Sequence, residues 1–196
     1  MKSKPTKENP GIVFLQIAVQ MTGKEVGGFE PYHMRMRKLA VAVLYCSALD
    51  DYRVYTESQV GNLLDTLKSA RFVVGYNCLG FDYEVLRGHS SFQCPRTLDL
   101  YQIFRETMGF GVSLDNMASS TLGGDWVSDG NADTALWKAG KVDAIIDQCK
   151  QDVDLMCRIY KHGMDHKSIG FTNAHGQKIT APIQWKAASF TCNGNQ

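Results

Sequence analysis

Short apolar runs rich in branched residues recur along the first half of the chain and predict buried β-strands. The runs cover residues 12–19 (IVFLQIAV), 39–45, 53–55 and 72–76. The connections between the first three runs are too short for helical crossovers, so these strands are expected to form an antiparallel meander. The fourth run follows a helical stretch closely, which favours a crossover to a parallel strand.

Helical periodicity separates and follows these runs. Residues 57–68 place apolar side chains at i, i+3, i+4 and i+7 from Val60, behind Thr56 as the N-cap, and residues 143–161 predict a long amphipathic helix. Further elements are predicted as helices at 81–86 and 113–119, a strand or turn followed by a helix within 97–108, loops at 21–37 and 123–134, and a hairpin of 171–173 with 178–181. This order predicts one α/β domain with a mixed sheet, preceded by a flexible leader (1–10) and followed by a loose tail (186–196).

Composition limits the function classes that need to be considered. Of the 196 residues, 44% are hydrophobic and 21% are charged, so the whole chain is neither disordered nor a coiled coil. The 21 Lys and Arg residues against 20 Asp and Glu give a net charge of +1, which argues against a purely electrostatic nucleic-acid binder but permits a local basic groove. No apolar run approaches the ~18 residues of a membrane helix, so no membrane partner is expected. Six cysteines without a CxxC pair, in a chain without a secretory signal, predict reduced thiols in a cytoplasmic protein.

The segment 74–86 (VGYNCLGFDYEVL) carries the first chemical signal. Asn77 follows a predicted strand, and Phe81 and Asp82 open the next helix, where a carboxylate can hold a metal ion at the rim of a sheet. A structural role is the alternative, with Asn77 in a turn and Asp82 favoured by the helix dipole. The pattern resembles motif II of the DEDD 3′–5′ exonucleases, a family of the ribonuclease-H-like superfamily whose motif reads Asn-x-x-x-Phe-Asp.

A second resemblance to this family lies in the long helix. The segment 148–153 (QCKQDV) resembles motif III, Tyr-Cys-x-x-Asp-Val, with Asp152 at the position of the family's carboxylate. The resemblance extends over residues 11–185 through short segments such as 25–28 (EVGG), 97–100 (TLDL), 113–116 (SLDN) and 137–140 (WKAG). It implies a ribonuclease-H-like α/β fold, in which a mixed β-sheet is flanked by helices on both sides.

The departures from the family concern the positions that carry its chemistry. Motif I of the family supplies Asp-x-Glu from the first strand, where alternation puts both side chains on one face. In this chain, Gln16 and Ala18 occupy those positions, and Gln148 replaces the Tyr or His of motif III. An amide offers one neutral oxygen and has no useful pKa near neutrality, and alanine offers no ligand. The remaining Asp82 and Asp152 are expected to hold at most one Mg²⁺ or Mn²⁺ ion, loosely.

Four other acids are candidate replacements for the missing carboxylates. Asp154 is expected on a different helix face from Asp152, and Asp99 and Asp115 are interpreted as caps at helix starts. Glu25, in the loop after the first strand, could reach inward. None of them has a geometry that the sequence specifies.

Nucleic-acid contacts are implied by the same resemblance. We expect Asn77, Phe81, Tyr83, Arg35 and Arg37 to contribute, with Tyr83 as the exposed stacking residue, Phe81 closer to the core, and the two arginines on a loop near the site. An ordinary solvated loop is the alternative for the arginines. The sequence therefore predicts a degenerate, inactive exonuclease-like domain that binds nucleic acid (DNA or RNA) or a protein partner. The alternatives are an active metal-dependent 3′–5′ exonuclease with a reduced site and a structural subunit of a larger complex.

Overall fold

A five-stranded mixed sheet forms the centre of the molecule. The computed structural model describes residues 9–91, 93–126 and 132–185, so the predicted tail and most of the predicted leader lie outside the described residues. The strands are β1 (Ile12–Val19), β2 (Leu39–Cys46), β3 (Asp51–Thr56), β4 (Phe72–Gly75) and β5 (Thr97–Asp99). Their order is β3-β2-β1-β4-β5; β1, β2 and β3 pair antiparallel, and β4 lies parallel to both β1 and β5. The predicted meander and the predicted crossover to a parallel strand are both confirmed.

Eight helices and a small second sheet surround this sheet in the described part of the chain. The helices are α1 (Gly23–Val26), α2 (Pro31–Met36), α3 (Val60–Ser69), α4 (Asp82–Arg87), α5 (Leu100–Met108), α6 (Leu114–Leu122), α7 (Ala132–Lys138) and α8 (Val142–His166), and a 3₁₀ turn (Glu57–Gln59) precedes α3. The predicted hairpin is confirmed as the antiparallel pair β6 (Ser168–Thr172) and β7 (Lys178–Pro182). The loops predicted at 21–37 and 123–134 are wrong in part, because the first contains α1 and α2 and the second runs into α7.

The alternation of side chains along β1 divides the interior into two cores. Val13, Leu15 and Ile17 point to one face and pack with residues of α3 and α4. Phe14 and Ala18 point to the other face and pack with residues of α5, α6 and α8. Helices therefore cover both faces of the sheet, and the predicted α/β class with a flanked mixed sheet is confirmed.

The described residues test the predictions made for the cysteines and for membrane-spanning helices. Cys46, Cys78, Cys149 and Cys157 are free thiols, as predicted, whereas Cys94 is disulfide-bonded. No helix in the described ranges combines the length and the apolar character needed to cross a membrane.

Close packing at Gly88 gives a first testable prediction. A Cβ added to this residue would collide with the carbonyl oxygen of Arg35, and backbone cannot move aside as a flexible side chain can. We expect Gly88→Ala to lower the free energy of unfolding by about 1–3 kcal/mol, measured by urea denaturation. Gly61→Ala is the matched control: it lies in α3 with nothing within 4 Å of the added Cβ and is expected to stabilise by about 0.5–1 kcal/mol. Equal effects of the two substitutions would contradict the steric argument.

Candidate functional site

The end of β1 carries the two replaced motif I positions. Gln16 pairs in register with Val43 and Ala18 with Val41, and the register shifts between Ala18 and Val19. Gln16 and Ala18 share the face of the sheet that packs against α8, as alternation requires. Gln16 borders a cavity, whereas Ala18 is 1% exposed and belongs to the core.

This cavity, of about 390 Å³, lies where β1 meets α6, α7 and α8. Its polar lining consists of Gln16, Arg37, Asp115, Asp133, Thr134, Gln148, Gln151 and Asp152. Its apolar lining consists of Ile17, Val19, Phe29, Tyr76, Phe81, Leu114, Trp126 and Leu155. The structure thus brings Gln16, Gln148 and Asp152 together, as the resemblance implied.

Carboxylates dominate the charge of the cavity. Asp115 from α6, Asp133 from α7 and Asp152 from α8 all line it. Burial, together with the negative charges of Asp115 and Asp133, raises the pKa of Asp152 to about 7. Arg37 is the one cation among the described lining residues. Burial lowers its pKa, and the negative charges of Asp133 and Glu25 oppose that change. With all groups ionised, the lining carries more negative than positive charge.

Asp82 has a different environment from Asp152. It is the first residue of α4, only 4% exposed, and it does not border the cavity. Its Oδ2 is buried without a hydrogen-bond partner, and burial, with the nearby charge of Asp99, raises its pKa well above the usual range. The Oε1 atom of Gln148 is also buried without a partner. The fold leaves both oxygen atoms without a hydrogen-bond partner.

Asp99 organises the turn between β4 and α4. Its Oδ1 accepts the N–H of Asn77 at 2.8 Å, and its Oδ2 accepts the N–H of Leu79 at 3.0 Å. The same carboxylate caps α5 by accepting the N–H groups of Tyr101 and Gln102. The predicted helix-cap role of Asp99 is confirmed. Asn77 has a φ of 58°, a left-handed conformation that asparagine tolerates in turns, which agrees with its structural interpretation.

Of the other candidate acids, Asp115 borders the cavity, whereas Glu25 and Asp154 are engaged elsewhere. Asp115 is not a cap, because the side chain of Ser113 caps α6 and Asp115 instead faces the cavity. Glu25 forms a capping box at the start of α1 and an ion pair with Lys138, which hold its pKa near 2. Asp154 lies on a different face of α8, as predicted, and accepts a hydrogen bond from a tyrosine on β3.

The predicted aromatic contacts are only partly exposed. Tyr83 is fully buried, with its hydroxyl hydrogen-bonded to Thr97 at 2.6 Å, so the expectation of an exposed stacking ring is wrong. Phe81 is half-buried and lines the cavity. The difference arises because Tyr83 lies on the inner side of the short helix α4, where a tyrosine with a buried partner for its hydroxyl packs well.

The predicted basic contacts are engaged within the chain. Arg35 forms an ion pair with Glu84 at 2.9 Å and keeps half of its side chain exposed. Arg37 is 8% exposed; its Nε donates to the carbonyl of Met21 at 2.8 Å, and its guanidinium lies 4.9 Å from the centre of the Phe81 ring. The alternative of an ordinary solvated loop is therefore wrong for Arg37, which borders the cavity as a buried cation.

Several lining residues have no counterpart in the predicted site, among them Asp133, Phe29 and Trp126. Asp133 lies in a segment predicted as a loop, and the Gly- and Asp-rich composition there hides α7. Phe29 and Trp126 carry no motif. A Thr-x-x-Glu capping box at Thr22 marks the start of α1. This capping box is the sequence signal nearest to Phe29.

The residues present do not fit the pair of divalent ions that the family resemblance implies. A bridging ligand would have to come from Gln16, which has a neutral amide, or from Ala18, which has no donor atom. In the described ranges, no group of three or more His, Cys, Asp or Glu side chains is arranged to hold a metal ion. Asp115, Asp133 and Asp152 border one cavity but do not meet at one point.

Comparison with known proteins defines the fold. No protein-family model matches the sequence, and no curated protein matches it. The chain is similar to the family B DNA polymerase from the hyperthermophilic archaeon Pyrobaculum calidifontis, with a TM-score of 0.59, 16% identity, and coverage of 78% of this chain and 24% of the polymerase. It also matches a structure described as the apo form of a nuclease, with a TM-score of 0.31, 15% identity, and coverage of 80% and 84%.

Sheet order and the polymerase comparison together define the fold of the chain. The chain has a ribonuclease-H-like α/β fold, as the family resemblance implied. It spans about a quarter of the length of the polymerase chain that it matches. A likeness of this kind shows the fold alone and does not transfer an activity.

Proposed function

We propose that the chain is a degenerate DEDD-type domain that does not hydrolyse phosphodiesters and uses its cleft as a recognition module. The observation that carries this proposal is the composition of the cavity. Gln16 and Gln148 border the cavity together with Asp152. Of the four positions that carry carboxylates in the family, only that of Asp152 both borders the cavity and holds an acid in this chain.

The chemistry of these side chains supports the loss of hydrolysis. Two adjacent Mg²⁺ ions act by aligning the attacking water and stabilising the leaving oxygen, and they need several carboxylate oxygens to hold them. An amide at position 16 cannot neutralise the ions, and an amide at position 148 cannot accept a proton from water near neutral pH. Any single Mg²⁺ or Mn²⁺ ion at Asp152 is expected to bind weakly.

Nucleic-acid binding without cleavage is a second candidate. The rings of Tyr76, Phe81 and Trp126 border the cavity, and aromatic faces of this kind stack on unpaired bases. The negative lining opposes the phosphates of such a ligand, and Arg37 is buried within it. We therefore expect any nucleic-acid affinity to be low.

A cleavage assay tests the proposal directly. Single- and double-stranded DNA and RNA with a 3′ label are incubated with the full chain and Mg²⁺, Mn²⁺ or EDTA. We expect no metal-dependent release of nucleotides and no difference between the parent chain and an Asp82→Ala/Asp152→Ala double variant. Cleavage that requires a metal ion and disappears in the double variant would overturn the proposal and would point to a reduced site completed by Asp115 and Asp133.

A further inference from the structure

The last turn of α8 carries two histidines that lie outside the cavity. His162 and His166 are four residues apart, so they project from the same side of the helix. Their ring centroids are 4.3 Å apart, with an angle of 38° between the planes, so the two rings are in contact. His166 is exposed and His162 is half-buried. Ions in solution therefore have access to this pair of imidazole rings.

Packing and hydrogen bonding fix the backbone that carries the two histidines. Gly163, which follows His162, is buried and lies against the indole ring of Trp185. The carbonyl of Gly163 accepts the N–H of Lys167, which ends the helix with a φ of 55°. A pair of side chains on such a rigid turn loses little conformational entropy when it binds a ligand.

The chemistry of two neighbouring imidazoles matches a transition-metal ion. Imidazole nitrogen suits Ni²⁺, Cu²⁺ and Zn²⁺, whereas Mg²⁺ prefers oxygen ligands. Two histidines at positions i and i+4 of a helix can reach the same ion. The neutral ring is the ligand, and burial together with the neighbouring His166 lowers the pKa of His162, while Asp165 opposes this change. The charge of Asp165 and the negative end of the helix dipole both attract a cation.

We propose that His162 and His166 together bind one ion of the Ni²⁺, Cu²⁺ and Zn²⁺ series, with water in the remaining coordination positions. No group of three or more His, Cys, Asp or Glu side chains in the described ranges is arranged to hold an ion, so the histidine pair supplies the protein ligands. Ten residues of α8, about 15 Å of helical rise, separate His162 from Asp152. The site is therefore distinct from the cavity, and the inference goes beyond the proposed function.

Metal titration of the full chain without an affinity tag tests this inference. Isothermal titration calorimetry is expected to show binding of Ni²⁺, Zn²⁺ and, most tightly, Cu²⁺, and an excess of Mg²⁺ is expected not to displace Ni²⁺. His162→Gln and His166→Gln are each expected to weaken binding at least about tenfold, since even a change outside the first ligands of a metal commonly has that effect. Electron paramagnetic resonance of the Cu²⁺-loaded chain is expected to show two coordinating imidazole nitrogens, and one in each variant.

Other potential ligands of the chain provide the matched controls. His175→Gln removes an exposed histidine between β6 and β7, and Cys157→Ser removes a thiol of α8 whose pKa burial raises to about 12. Both variants are expected to keep the full affinity, and circular dichroism verifies that every variant is folded. Absence of binding, displacement of Ni²⁺ by Mg²⁺, or an equal loss of affinity in His175→Gln would overturn the inference. Binding that His162→Gln and His166→Gln retain in full is an adventitious ion only and would overturn it as well.

Discussion

Asp99→Ala is expected to lower the free energy of unfolding by about 3–5 kcal/mol, because it leaves several backbone donors without partners. The carboxylate is 1% exposed and accepts the N–H groups of Asn77, Leu79, Tyr101 and Gln102. It thereby joins the turn after β4 to the start of α5. Urea denaturation followed by tryptophan fluorescence measures the effect.

Two further variants test whether the loss of stability in Asp99→Ala comes from its hydrogen bonds. Asp99→Asn keeps one acceptor oxygen and replaces the other by a donor facing the N–H of Leu79, so its effect is expected to be intermediate. Asp143→Ala removes an exposed acid from the first turn of α8, where the dipole contributes only about 0.3–1 kcal/mol. If Asp99→Ala cost no more than Asp143→Ala, the bonding role of Asp99 would be refuted.

Asp82→Asn is expected to stabilise the protein by about 2–4 kcal/mol at alkaline pH, because the parent chain buries a charge without a partner. The pKa of Asp82 is raised in the folded chain from a usual value of 3.8. The unfolded chain therefore releases its proton near pH 4 while the folded chain retains it. Stability contributed by the protonated carboxyl is present in full below pH 4 and is lost as the pH rises towards the folded pKa.

Denaturation curves across the pH range test this prediction. The free energy of unfolding of the parent chain should fall from pH 4 upward. Asp82→Asn should make this fall shallower and leave only the pH dependence that Asp152 contributes between pH 4 and about 7. Asp152→Asn should remove that remaining part. A parent chain whose stability rises with pH, or rises on addition of Mn²⁺ in a manner that Asp82→Asn abolishes, would show that Asp82 is ionised and holds a cation.

The strands and long helices could be predicted because their patterns are periodic. In β1 the apolar run is continuous since both faces of the strand are buried, and in α8 the apolar residues recur at helical spacing. The short helices α2 and α7 gave no such signal. Helix α2 has six residues and no buried side chain, so no apolar stripe marks it. Helix α7 follows a Gly- and Asp-rich stretch that is typical of a loop.

The motifs predicted part of the site but not the remaining residues that line the cavity. The motif positions place Gln16 on β1 and Gln148 and Asp152 on α8, and all three residues border one cavity. Asp133 comes from the unrecognised helix α7, and its role in the electrostatics of the cavity could not be read from spacing. Tyr83 of α4 is hydrogen-bonded through its hydroxyl to Thr97 of β5, a contact between separate elements that local sequence patterns do not encode.

The two cores on either side of β1 have a consequence for how this strand tolerates substitution. Gln16, which borders the cavity, belongs to one set of alternate residues, whereas Val13, Leu15 and Ile17 on the opposite set anchor the strand to α3 and α4. A substitution at position 16 therefore leaves that anchoring intact. The chemistry of the cavity and the stability of the central strand can thus change independently of each other.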